Sequence, residues 1–228
     1  VRNDRVIWAS CMVSCGDADG AVTGNTRRYG ASIEKIKKVI EPRPGEIMFG
    51  LNMIVNKGKT VFVGDTSVHE YPSSEQLAEI AISAARVVRL FGFDPKIAFV
   101  SHSTFGQPLT SRTRHIKNAV NILRKKNVDF KFDGDMQPDV ALNDKYKELY
   151  PFSDIVGNAN ILIMPGQHSA AISYKMMREL GGAKVIGPLL IGLGQPIEIA
   201  PLRSSTSDIL NLASIAAFSS DVIDYSKN

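Results

Sequence analysis

Cysteine is scarce in these 228 residues, with only Cys11 and Cys15 present. Four apart on a predicted helix, they supply at most half of a tetrahedral metal shell, and no second pair completes it. They read as buried free thiols of a reducing, cytoplasmic compartment. Arginine-rich tails and aromatic-basic alternation are missing, and with them the signs of a nucleic-acid partner. No apolar run approaches the roughly 20 residues that span a bilayer, so a membrane partner is not expected. Residues 1–13 carry Arg2, Asp4 and Arg5 where a signal peptide needs an apolar core. Neither charge dominates: 27 lysines and arginines face 23 acids, leaving +4. The densest basic stretch, Lys35, Lys37 and Lys38, reads as a solvated helix face. Repeats and low-complexity linkers are absent. The abrupt opening, VRNDRVIWAS, reads as the edge of an excised fragment.

What is present alternates between helical and strand periods, the mark of α/β layering, over a length that suits two lobes of roughly 100 residues each. Trp8 to Cys15 forms a helix, and the Gly-rich GDADGAVTG that follows reads as turn. Ile33, Ile36 and Ile40 mark a second helix. Ile47–Val55 and Thr60–Asp65 are strands joined by Asn56-Lys57-Gly58-Lys59, a hairpin signal. Ser73 with Gln76 three later is a capping box, opening a helix whose apolar face is Leu77, Ile80, Ala84, Val87 and Phe91. Ile97–Val100 is a short buried strand, and Ile116, Ala119, Val120 and Leu123 line the next helix. Val128, Phe130 and Phe132 alternate as a half-buried strand, Ile161–Met164 is wholly apolar, Ile172–Leu180 is helical, and Val185-Ile186 opens another strand. Ser205, three before Asp208, caps the last helix.

Ligands of open α/β sheets sit beyond the carboxyl ends of strands. Three such ends are rich in glycine and hydroxyls, at residues 101–106, 165–170 and 187–194, and backbone N–H groups with hydroxyls suit phosphate oxygens. His102 and His168 lie just past strands and offer a base, a ligand contact or a packing group, while His69 and His115 read as surface residues. The acids of GDADG and of DGDMQPD (Asp133, Asp135, Asp139) lack the spacing of a calcium loop and read as turn and cap residues. No G-x-S-x-G elbow supports a hydrolytic triad.

Six segments in series, ADGAVTG (18–24), VHEYPSSEQLAEIAISAA (68–85), SHSTFG (101–106), DGDMQPDVAL (133–142), ANILIMP (159–165) and GPLLIGLGQPI (187–197), resemble the phosphate acetyltransferase/butyryltransferase superfamily in order and spacing. RRYGASIEKIKKVIEPRPG, GKTVFVGDTSVHEYP and the STFGQP turn are similar to its branch fused behind the catalytic domain of large bacterial NADP-dependent malic enzymes. The resemblance implies two α/β lobes around an interlobe cleft, one from residues 1–70 plus 201–228 and N-terminally incomplete, the other from 71–200. Active members carry a serine-arginine pair before the last helix and an aspartate after it. Here those positions are Pro201 and Leu202, with Asp208 retained, and a further family arginine falls at Glu34. Since acyl transfer needs cations for phosphate and oxyanion, the implied role is noncatalytic: a homo-oligomeric domain that senses acetyl-CoA as effector. Its contacts are expected at Ser103, Thr104, Gly106, Arg112, Arg114, Gly187, Pro188, Asp208 and Asn211. Self-association is expected through the last helix, which carries Ile209, Leu212, Ile215, Ala216 and Phe218. No cofactor is expected in the chain itself. NADP and Mg or Mn belong to the malic catalytic domain of the same protein, which the resemblance places before Val1. The alternatives are an active phosphate acetyl/butyryltransferase using displaced arginines (Arg27, Arg28 or Arg203) and a dimerisation domain whose cleft binds nothing.

Overall fold

The computed structural model describes residues 3–222, apart from the side chain of Arg112. In chain order the elements are α1 (Arg5–Ser14), β1 (Ala21–Gly24), α2 (Tyr29–Ile36), β2 (Phe49–Asn56), β3 (Lys59–Gly64), α3 (Ser74–Leu90), β4 (Lys96–Val100), α4 (Ser111–Lys126), β5 (Lys131–Met136), α5 (Pro138–Leu142), a 3₁₀ turn (Asp144–Leu149), β6 (Ile161–Ile163), α6 (Gln167–Glu179), β7 (Lys184–Ile191), β8 (Ile197–Ala200) and α7 (Thr206–Val222). The fold is mixed α/β. It divides into two compact units, Val1–Gly50 with Ile186–Asn228, and Leu51–Val185. The chain thus changes unit inside β2 and β7, whereas the lobes expected from sequence meet at 70/71 and 200/201, in polar turns. No helix among the described residues is long and apolar enough to cross a membrane.

In the second unit the strands run in the order β5-β4-β6-β3-β2. The first four are parallel neighbours, and β2 returns antiparallel beside β3. Alternation explains why the sheet is buried on both faces. Phe62, Ile97, Phe99, Ile161 and Ile163 point one way, and Phe62 meets Phe91 and Phe93 at the end of α3. Val61, Val63, Ala98, Val100 and Leu162 point the other way into a cluster with Val140, Ile155 and Tyr174. The expected hairpin is present: Asn56 pairs with Lys59, and Lys57 and Gly58 take φ values of 48° and 77° in the turn between them. The Ser73–Gln76 box caps α3 as its spacing predicts, and the apolar face of α4 is buried.

The first unit carries a two-stranded parallel sheet, Ala21 to Gly24 beside Ile197 to Ala200. Neither strand is evident in the sequence. β1 lies in text rich in glycine and aspartate, and a Cβ at Gly24 (φ 101°) would run into the Ala200 carbonyl oxygen, so close strand approach accounts for that glycine. Asp4 caps α1 by accepting from Val6 N at 3.0 Å, and it pairs with Lys35 and, at 3.7 Å, with Arg27. The Lys35 contact holds its carboxyl down at about 2. Lys35 is therefore engaged and does not lie on a free solvated face.

Other expectations shift. Cys11 is half-buried and Cys15 exposed, because the buried face of α1 is Val6, Ser10 and Val13. Helix α2 stops at Ile36, and Ile40 is buried from the turn beyond it. Strand β5 runs through Asp133 and Asp135, so these acids are strand residues rather than turn or cap groups: Asp133 pairs with Ala98, and Asp135 is passed over where the register shifts from Gly134 to Met136. Val128 and Phe130 precede the strand.

Candidate functional site

The second unit ends its parallel strands in loops that are held by buried carboxylates. Asp65, directly after β3, accepts from the backbone N–H groups of Ser67 (2.8 Å), Val68 (3.1 Å) and His69 (2.7 Å). The His69 ring closes on it, Nδ1 to Oδ2 at 2.7 Å. Asp135 near the end of β5 does the same for the loop after β4: it takes the Ser103 hydroxyl and, at 3.0 Å, Gly106 N. Its main-chain oxygen accepts Phe105 N at 2.6 Å, which pins Phe105 at a left-handed φ of 51°. After β6, Gln167 N donates to the His69 carbonyl at 3.1 Å, and a Cβ on Gly166 would strike the Glu70 carbonyl oxygen. The loop after β3 and the start of α6 are thus stitched together.

A cavity of about 620 Å³ lies inside this unit, at the carboxyl ends of β4 and β6 and the first turns of α3, α4 and α6. Its wall includes Pro72, Val100, His115, Ile116, Met164 and His168. Helix N-termini bring partial positive charge to such a crevice. His115 Nε2 donates to the Pro72 carbonyl at 2.7 Å, and Nδ1 lies 3.0 Å from Ser74 Oγ. Both ring nitrogens are therefore occupied, and His115 acts as wall rather than base. His69, in the loop after β3, and His115, on α4, are half-buried and hydrogen-bonded and are not surface residues. The exposed histidines are His102 and His168, and His168 Nε2 sits 3.1 Å from Glu70 Oε1.

The residues expected from sequence fall in distinct places. Ser103 and Gly106 are buried and turned to Asp135, while Thr104 Oγ1 accepts Gln137 N at 3.3 Å. These three converge, and they hold the loop shut. Arg114 is exposed on α4, one residue before His115; the Arg112 side chain lies outside the described residues. Gly187 and Pro188 lie within β7 and not in a strand-end turn, because the strand continues through them to Ile191. The Pro188 carbonyl accepts from the Tyr29 hydroxyl at 3.4 Å. Asp208 accepts both donors of Ser205, N at 2.9 Å and Oγ at 2.8 Å, as the cap of α7, and Asn211 is half-buried one turn on. Leu202 is 53% exposed before α7, and the Glu34 side chain is 72% exposed, 3.5 Å from Lys37 Nζ. Sequence reasoning passed over Asp65 and Asp135; the signal available for both was a Gly-Asp pair at the end of a strand pattern. Among the described residues no three His, Cys, Asp or Glu side chains are grouped to hold a metal.

The family model for phosphate acetyl/butaryl transferase matches residues 1–217. The chain belongs to that family. The phosphotransacetylase from Streptococcus pyogenes superposes with a TM-score of 0.89 at 30% identity, over 94% of this chain and 67% of that one. Within the family, the NADP-dependent malic enzyme of Rhizobium meliloti is 47% identical over 218 residues, which are 96% of this chain but 29% of that protein. The phosphate acetyltransferase of Nitratidesulfovibrio vulgaris is 32% identical over 219 residues, 31% of its length. The chain therefore spans about three tenths of these longer relatives.

Proposed function

We propose that this chain is the C-terminal, acetyl-CoA-sensing regulatory part of an NADP-dependent malic enzyme, and that it binds acetyl-CoA without transferring the acetyl group. The observation carrying the reading is that Pro201 and Leu202 stand where the resemblance places the family's serine-arginine pair, and the Glu34 carboxylate where it places a further arginine. A transferase must neutralise phosphate and a developing oxyanion, and losing one such donor costs about 100- to 1,000-fold. Of the displaced arginines, Arg27 is already paired with Asp4, and Arg28 and Arg203 stand outside positions 201 and 202. An active acyltransferase is accordingly the less favoured reading. Oxidative decarboxylation of malate, with NADP and a divalent metal, belongs to the part of the longer protein that this chain does not match. Of the α7 residues expected at a self-association face, Leu212 and Ala216 are buried within their own unit, and the exposed Phe218, with Leu210, is what fits self-association of that protein.

What favours retained binding is the cavity in the second unit, with Arg114 beside it to meet phosphate. Calorimetric titration with acetyl-CoA, CoA and acetyl phosphate tests this, together with an assay of acetyl-CoA formation. Binding of acetyl-CoA with no measurable transfer is expected. Arg114→Ala should weaken binding by about 1.5–3 kcal/mol, the worth of a charge-assisted contact. Transfer within about tenfold of an active phosphotransacetylase sinks the noncatalytic assignment, and absence of binding at millimolar acetyl-CoA sinks the effector.

A further inference from the structure

We infer that the cavity of the second unit takes the purine of an adenine nucleotide, with Tyr71 and His168 as its stacking platform. This rests on the effector reading above and deepens it, because it assigns one end of acetyl-CoA to one place.

Three observations point to a flat, uncharged, aromatic occupant. Among the described residues no lysine or arginine lines the cavity and one carboxylate, Glu70, does, so a phosphate finds no ion pair with them. Beside serine hydroxyls and histidine rings, its walls are proline and aliphatic surface, Pro72, Pro138, Pro165, Val100, Ile116 and Met164. At its edge the Tyr71 and His168 rings lie nearly parallel, 20° apart with centroids 6.2 Å from each other. Tyr71 is 75% exposed, a large apolar area to leave in water. The Glu70 carboxylate lies 3.1 Å from His168 Nε2 at the edge of the second ring. The two rings are too close for a third to enter between them, so a base would extend the stack from one outer face. Base–aromatic stacking depends on the π-face and not on charge, so it works in a site without cations. The phosphates would then lie outside, towards Arg114 at the start of α4.

Calorimetry on the whole chain with acetyl-CoA, adenosine 3′,5′-bisphosphate and pantetheine tests the assignment. The bisphosphate should bind and compete with acetyl-CoA, and pantetheine should not. Tyr71→Ala and His168→Ala should each weaken bisphosphate binding at least about fivefold, while Tyr71→Phe, which keeps the ring, should match the parent. Both side chains are exposed, so these variants should keep the parent's melting temperature. If acetyl-CoA binds and only pantetheine competes, the effector reading survives and the purine site is wrong. Unchanged affinity in Tyr71→Ala also overturns the site. If the bisphosphate binds and acetyl-CoA does not, the purine site stands and the effector reading falls. If neither binds, both fall.

Discussion

Asp65 and Asp135 in the second unit and Glu198 in the first are all carboxylates withdrawn from water, at 1%, 1% and 5% exposure. The protein replaces the lost water very differently. Asp65 collects three backbone N–H groups and a histidine, and Asp135 a hydroxyl and a backbone N–H. Among the described residues Glu198 accepts one hydrogen bond, from Leu190 N at 3.0 Å, and burial pushes its carboxyl from the ordinary 4.5 up to about 8. The two aspartates organise loops around the cavity, and the glutamate is an acid kept mostly neutral in a core. Buried acids therefore mark built sites here only where several donors converge on them.

The comparison breaks most visibly if the aspartates prove dispensable. Asp135→Ala leaves Gly106 N buried without its acceptor and the Ser103 hydroxyl with Ser101 Oγ, at 3.2 Å, in place of a carboxylate. An orphaned group costs about 1–3 kcal/mol, and a loss of that size is expected in urea unfolding. Asp65→Ala strands four donors and should cost more, although water reaches the half-buried Ser67, Val68 and His69 and offsets part of the loss. Glu198→Ala strands the Leu190 N–H and opens a cavity. If it proves costlier than both aspartate changes, donor count does not rank these sites.

Glu198 sharpens the contrast through pH. The unfolded chain gives up this proton near 4.5 and the folded chain near 8, so between those values the folded state holds more protons. Stability from this group is complete below about 4.5 and is lost as pH rises through 8. Urea midpoints of the parent should therefore decline between pH 5 and about 8.5. Glu198→Gln keeps the shape and the acceptor for Leu190 N without the titration, and its decline over that window should be shallower. Parallel pH profiles for the two proteins would show that Glu198 does not carry this linkage.

The sequence was most legible where structure is local. The capping boxes at Ser73 and Ser205, the 3.6-residue stripe of Ile116, Ala119, Val120 and Leu123, and the hairpin at 56–59 all depend on residues within a few positions of one another. The family and its α/β fold were legible too, from six short segments in order. The site was much less so. His115 reads as a surface residue until Ser74, 41 positions away, closes on its ring. Asp135 resembles a turn acid because DGDM looks polar, yet the sheet buries it on a strand. Burial is a property of neighbours, and those neighbours are distant in sequence.

The smallest expected effect separates structure from ligand at Asp208, a position proposed from sequence as an effector contact. Its Oδ2 already accepts two hydrogen bonds from Ser205, and Asp208 N donates back to Ser205 Oγ at 3.2 Å. The reciprocal pair satisfies orphan donors at the start of α7, an arrangement worth about 0.5–2 kcal/mol. Ser205→Ala and Asp208→Ala should therefore destabilise the protein by similar amounts, near 1 kcal/mol. A carboxylate also repels the phosphates of CoA, so neither change should move acetyl-CoA affinity by more than about twofold, or roughly 0.4 kcal/mol. The pair controls itself, since Ser205→Ala removes the cap and keeps the charge. Should Asp208→Ala alter binding while Ser205→Ala does not, the carboxylate touches the ligand, and the cap is the lesser of its two roles.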